Sequence, residues 1–183
     1  MGKVFDKIDE KITDWVEAQK MFFVATAPLA GNGFINCSPK GMDTFRILGE
    51  REIAYLDYAG SGVETIAHLK ENSRICIMMC ALDGPPKIFR FHGKGTVHEK
   101  GTAAYARFAG HFDDHPGTRA IIHVELDRIS DSCGFGVPLY DFQGDRDQLH
   151  KWAEKHGEQG VREYCGEKNL RSLDGLPGMD MFV

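Results

Sequence analysis

Three short segments combine polar side chains with glycine at spacings that could hold a phosphorylated or planar ligand. The first, Asn36-Cys37-Ser38-Pro39-Lys40-Gly41, places an amide, a hydroxyl, an ammonium and a glycine amide close together. Such mixed donors suit a phosphate or the polar edge of a heterocycle, although a strand leaving through a Ser-Pro turn with a solvated lysine uses the same residues. The second, Asp57-Tyr58-Ala59-Gly60-Ser61-Gly62-Val63-Glu64-Thr65, reads as a strand end running into a helix start. Amides freed at a helix N-terminus, with the hydroxyls of Ser61 and Thr65, favour an anion through both their orphan N–H groups and the helix dipole. Ser61-x-x-Glu64 is equally the spacing of a capping box, which explains both residues without a ligand. A carboxylate at Glu64 would repel a phosphate unless it turned away or paired with a base such as Arg74. The third, Ser132-Cys133-Gly134-Phe135-Gly136-Val137-Pro138, permits close backbone approach to something flat, or a tight turn that tucks Phe135 into the core.

Other chemistry is thinly represented. Cys133 has no basic neighbour in sequence to lower its pKa. His111-x-x-x-His115 has metal-ligand spacing only on a helix, and Asp113-Asp114-His115-Pro116-Gly117 reads as a helix end and turn, so no metal site is expected. There is no G-x-S-x-G, H-E-x-x-H, Walker loop or dinucleotide G-x-G-x-x-G, so hydrolase, protease and NTPase readings have no support.

These segments need elements to position them. The 183 residues suffice for one sizeable core, and one domain spanning 1–183 is the expectation. Residues 4–19 carry Phe5, Ile8, Ile12, Trp15 and Val16 at helical spacing. Strands are expected over 21–27, 34–38, 43–48, 53–57, 74–80, 87–97 and 120–126, with Gly93 and Gly95 as bulge or close-approach points in the long sixth one. Helices are expected over 63–71 and 101–112, and as a pair or one broken helix over 145–168, with an irregular tail from 169. Short strand spacing with helices at the ends and in one or two connections favours a mainly β (α+β) barrel of six to seven strands with flanking helices.

Composition narrows the function classes. The formal charge of −5 gives no global drive towards nucleic acid or anionic lipid. No apolar run is long enough to span a membrane, and acids interrupt the first 20 positions where a secretory leader would be apolar, so a cytoplasmic protein is expected. Five scattered cysteines without C-x-x-C argue against a disulfide framework or zinc ribbon. Glycine is unusual, at 21 of 183 residues, about 11% against roughly 7% in average proteins.

Taken together, residues 22–27, Gly33 to Gly41, Ile53 to Gly62, His68-Leu69-Lys70-Glu71-Asn72-Ser73-Arg74 and Phe89-Arg90-Phe91-His92-Gly93 resemble the pyridoxamine 5'-phosphate oxidase-like family. The likeness is to the subgroup with S-P-K-G and L-D-Y-x-G-S-G-x-E-T segments, and extends to S-C-G-F-G-V-P and the N-L-R-S-L-D-G-L-P-G tail. It implies a split β-barrel, with residues 1–20 as an N-terminal helix, 21–130 as the barrel and 131–183 as a C-terminal extension. It also implies FMN as cofactor, a small-molecule substrate and a homodimer with the flavin in the interface cleft. Lys40 and Ser61 match positions that contact the flavin phosphate or ribityl chain. Asn36, Ser38, Pro39 and Gly41 would line the same groove, Asp57, Tyr58, Gly60, Gly62 and Thr65 would surround the phosphate end, and Arg90 would lie at the flavin edge. Where the vitamin B6 oxidases proper carry two basic residues after the serine, this chain has Gly62 and Val63, and it reads Gly178-Met179-Asp180-Met181-Phe182-Val183 in place of an R-L-x-P segment. An oxidoreductase acting on another substrate is therefore expected, with no catalytic acid or base singled out. The alternative is a non-catalytic binder of flavin, deazaflavin or haem on the same fold, with His68, His92 or His98 as axial ligands for haem.

Overall fold

A computed structural model describes residues 2–180. Its eight strands are β1 (Val4–Phe5), β2 (Met21–Thr26), β3 (Asn36–Gly41), β4 (Phe45–Gly49), β5 (Glu52–Tyr58), β6 (Arg74–Cys80), β7 (Ile88–Glu99) and β8 (Thr118–Ser132). The helices are α1 (Glu10–Glu17), α2 (Glu64–Asn72), α3 (Ala103–Ala109) and α4 (Gln148–Lys168). All strands pair antiparallel in the order β3-β2-β6-β7-β8-β5-β4, with β1 on β8. The sheet curls into a half-barrel.

Period-two alternation sends Phe22, Val24, Ile53, Tyr55, Ile77, Phe91, Ile122 and Val124 into the main core. Ile12 and Val16 of α1 and Ile66 and Leu69 of α2 close over it; each such side chain contributes roughly 1.5–3 kcal/mol when fully buried. Ala54, Leu56 and Ile121 form a smaller cluster on the opposite face, packed against Tyr105, Phe108 and Phe112. This double covering explains why residues 118–124 are continuously buried.

Three expectations change. The opening helix is shorter, because the Asp9 carboxylate accepts from the Ile12 amide at 2.9 Å and starts α1 at Glu10. Upstream of it, Val4–Phe5 joins the sheet and Phe5 packs on Phe89. The last strand runs past residue 126 to Ser132, since β7 and β1 both offer it partners there. Eight strands result instead of six or seven. The broken-helix expectation for the tail agrees with α4, in which Gly157 adopts φ 64°, a conformation open to glycine.

Gly93 also sits where expected. The β7–β8 register shifts between His92 and Gly93, and a β-carbon at Gly93 would lie 2.0 Å from the Glu125 carbonyl oxygen. Gly93→Ala is expected to lower stability by about 1–3 kcal/mol, read as a reduced midpoint in thermal or urea unfolding.

Candidate functional site

The β2–β3 register pairs Phe22 with Lys40, Val24 with Ser38 and Thr26 with Asn36. Since Phe22, Val24 and Thr26 are buried, alternation turns Asn36, Ser38 and Lys40 inward, whereas Cys37, Pro39 and Gly41 belong to the other face of this edge strand. The expected single groove lining of residues 36–41 is thus divided between two faces.

Lys40 reaches across to Asp57, its Nζ lying 2.5 Å from Oδ1. The Asp57 side chain is fully buried, and Arg119 Nε binds its other oxygen at 2.8 Å. Burial by itself raises the Asp57 carboxyl, but the charges of Arg119 and Lys40 and the hydrogen bonds from both outweigh it and hold the pKa down at about 2. Arg119 Nη1 also donates to the Gly62 carbonyl and to Asn169 Oδ1, both at 2.8 Å. Asn169 in turn donates to the Gly60 carbonyl at 2.9 Å. One carboxylate therefore faces two cations, and the cluster carries a surplus positive charge whose outer member, Lys40, keeps 22% of its side chain exposed.

A second network adjoins it. Asn36 donates to Thr65 Oγ1 at 2.9 Å and Thr26 Oγ1 at 3.1 Å, and accepts from Ser38 at 2.9 Å. Thr26 in turn lies 3.0 Å from His68 Nδ1. Burial pushes the fully enclosed His68 imidazole below its ordinary pKa, and its Nε2 is 3.8 Å from Asp174, outside hydrogen-bond reach. Thr65 is buried, and its hydroxyl takes part in this network.

The capping-box expectation is overturned. Val63 is the N-cap of α2, and no side chain among the described residues caps it. Glu64 instead accepts from the Leu173 amide at 3.2 Å, and Arg74, its expected partner, bonds Asn72 and the Pro28 carbonyl. The tail competes successfully because residues 169–178 form a tight turn, with Arg171 bridged to Pro177, that packs Gly178 against Val63. Ser61 is exposed beside the uncapped helix start.

The other candidates scatter. Tyr58 points to the α3 side, against His115 and His150. Arg90 lies on the outer sheet face and donates to Ser132 at 2.9 Å. Phe135 is 83% exposed, which overturns the expectation of an aromatic tucked into the core. α3 ends at Ala109, so His111 and His115 share no helical face. His98 stacks on Phe108, which also stacks on His123, and His92 is on β7 opposite Arg128. Arg119 was not singled out by sequence, and Asn169 and Asp174 were noted only within the N-L-R-S-L-D-G-L-P-G tail, with no role, since no local motif marks residues that act 50 or more positions from their partners.

The Asp57 cluster makes stability sensitive to acid. Its contribution is complete above the ordinary value of 3.8 and is lost as pH falls through about 2, because the unfolded chain takes up the proton first. The size is about 2 kcal/mol. In Lys40→Met the Asp57 carboxyl rises, and the acid-unfolding midpoint followed by circular dichroism is expected to move to higher pH.

A pyridoxamine 5'-phosphate oxidase family model matches residues 8–133. The chain is 38% identical over 192 aligned residues to the pyridoxamine 5'-phosphate oxidase family protein ustO of Aspergillus flavus, covering 96% of this chain and 77% of that one. Solved structures share the fold. A Lactobacillus delbrueckii protein described as a putative pyridoxamine 5'-phosphate oxidase has TM-score 0.52 at 15% identity, covering 69% of this chain and 98% of that one. A Clostridium acetobutylicum protein related to general stress protein 26, of the pyridoxinephosphate oxidase family, has TM-score 0.53 at 16% identity, covering 78% and 99%. The half-barrel, its helices and the matched sequence place this chain in the pyridoxamine 5'-phosphate oxidase family.

Proposed function

We propose that the chain binds FMN and is a flavin-dependent oxidoreductase acting on a small-molecule substrate. The observation that carries this reading is the surplus positive charge of the Lys40–Asp57–Arg119 cluster, with Lys40 at its exposed end. The uncapped start of α2 offers amides near the same cluster, because Arg119 ties the 60–62 carbonyls to Asp57. The donor set fits a phosphate monoester: an ammonium, the Ser61 hydroxyl and helix-terminal amides, with Glu64 engaged by Leu173. It compensates for the absence of basic residues at 62 and 63.

In this reading Lys40 and Ser61 bind the phosphate, and Asp57 holds Lys40 extended towards it. Arg119 and Asn169 keep the 60–62 backbone in place, and Asn36 and Ser38 present polar atoms along the inner face of β3. Bound FMN would supply hydride or electron transfer, while the protein binds, orients and shields the ring. Membership of the family, whose members commonly bind flavin, supports the cofactor.

The reading includes a homodimer. On the outer sheet face Met21, Phe23, Ala25, Cys76 and Met78 are only partly covered within one chain, an arrangement suited to a second copy. It also places the protein in the cytoplasm, in keeping with five free cysteines. Among the described residues no helix is long and apolar enough to cross a membrane.

FMN titration, followed by flavin absorbance and quenching of ring fluorescence, tests the cofactor. Lys40→Met and Ser61→Ala are expected to weaken binding, the former by about 10–100-fold for a lost charge-assisted hydrogen bond. A chain that is colourless as purified and leaves the FMN signal unchanged refutes the proposal. Sedimentation at micromolar concentration is expected to give a dimer; a monomer would reject the interface.

A further inference from the structure

Two groups of large apolar side chains, each 55–83% exposed, sit at opposite ends of β2. Past its last residue, Thr26, lie Leu29, Phe34 and Ile35 of the β2–β3 connection, with Leu173 of the tail turn beside them. Their backbone is fixed: the Leu29 amide donates to Glu71 at 2.7 Å, that of Phe34 to Asp174 at 3.1 Å and that of Leu173 to Glu64 at 3.2 Å. At the other end lies an arm, residues 133–145, which carries Phe135, Leu139, Tyr140 and Phe142. The Tyr140 amide donates to the Leu82 carbonyl at 2.8 Å, and the Phe142 ring lies 6.0 Å from the ammonium of Lys20, the residue before Met21.

We propose that in the homodimer each copy seats its 133–145 arm on the 29–35 and 173 group of the second copy and so closes that copy's phosphate site from the α2 side, an inference that rests on the flavin and dimer reading above. The two groups expose on the order of 1,000 Å² per chain, taking about 150–250 Å² for each side chain when bare, which meets the roughly 800 Å² per partner of a stable interface. Between them Met21, Phe23 and Ala25 turn outward along the six residues of β2, so one apolar strip joins the two ends. A two-fold axis in that face either runs along the strand, setting like groups together, or crosses it near Phe23, exchanging the ends. Charge selects the crossing axis. The arm carries exposed Asp141 and Asp145. In the other group Glu64, Glu71 and Asp174 are turned onto backbone amides, while the exposed Arg74 and Arg171 bond neutral oxygens of Asn72, Pro28 and Gly175. Leu173 binds Glu64 just past the exposed Ser61, so an arm seated there covers the start of α2.

Two full-length variants test the arrangement without FMN: Asp141→Arg with Asp145→Arg, and Arg74→Glu with Arg171→Glu. All four positions are exposed, and melting curves confirm folding. In sedimentation each variant alone is expected to dimerise about tenfold more weakly than the unaltered chain. An equimolar mixture should restore the dimer, because both arm contacts of the mixed pair again join opposite charges. Variants that each dimerise as tightly as the unaltered chain, or a mixture that stays monomeric, overturn the proposal. Tyr140→p-benzoylphenylalanine reads the contact directly in a mixture of ¹⁴N- and ¹⁵N-labelled chains. Photocross-links are expected from position 140 of one isotope to residues 28–35 or 169–175 of the other; links to 133–145 of the other copy, or none between copies, overturn it. Closure is read by hydrogen exchange of the 61–66 amides, expected to be slower in the unaltered chain than in the Asp141→Arg, Asp145→Arg chain; equal exchange rejects the arm's role at the site. A chain that behaves as expected in all three but does not bind FMN upholds the arm exchange and rejects the flavin reading alone.

Discussion

An ionised carboxylate taken fully out of water must be met by charge and hydrogen bonds, or the fold loses several kcal/mol. Asp57 imposes that condition at the centre of this protein. Lys40 satisfies one oxygen from the edge strand β3, and Arg119 satisfies the other from β8. Because β3 and β4 end opposite sides of the sheet, and Asp57 lies on the strand next to β4, the Lys40–Asp57 contact ties the curled sheet across its opening. The same pairing holds the Lys40 ammonium on a buried carboxylate while 22% of the lysine side chain stays exposed.

Arg119 extends the constraint outward. Its remaining bonds go to the 60–62 loop and to Asn169, so the end of α4 is joined to the start of α2. From Asn169 the tail crosses α2, where Leu173 occupies Glu64 and Asp174 receives the Phe34 amide from the β2–β3 connection. Lys70 then binds Glu99 and Asp180. The C-terminal segment is thus part of the candidate site: it diverts the Glu64 carboxylate into its own turn and leaves the α2 amides without a side-chain cap.

Much of this was legible in the chain. β6 falls over 74–80 as the apolar run indicates, and the break in α4 follows from glycine among helix formers. Asn36, Lys40 and Asp57 were singled out by type and position, and the structure brings them into two adjoining networks. The cap was misread for a specific reason. Ser61 and Glu64 have the right spacing, but the competing partner, the Leu173 amide, is 109 residues away from Glu64.

The sequence by itself determined the order and kind of the elements, the places where glycine relieves the backbone, and the resemblance that marks the family. These depend on periodicity and on neighbours a few residues apart. Tertiary structure alone decided which way each polar side chain faces and what it meets: Lys40 on Asp57 instead of in solvent, Thr65 under the Asn36 amide, Arg119 as the second cation of the cluster. Such choices are made where strands distant in sequence come together, because burying a charge depends on everything packed around it.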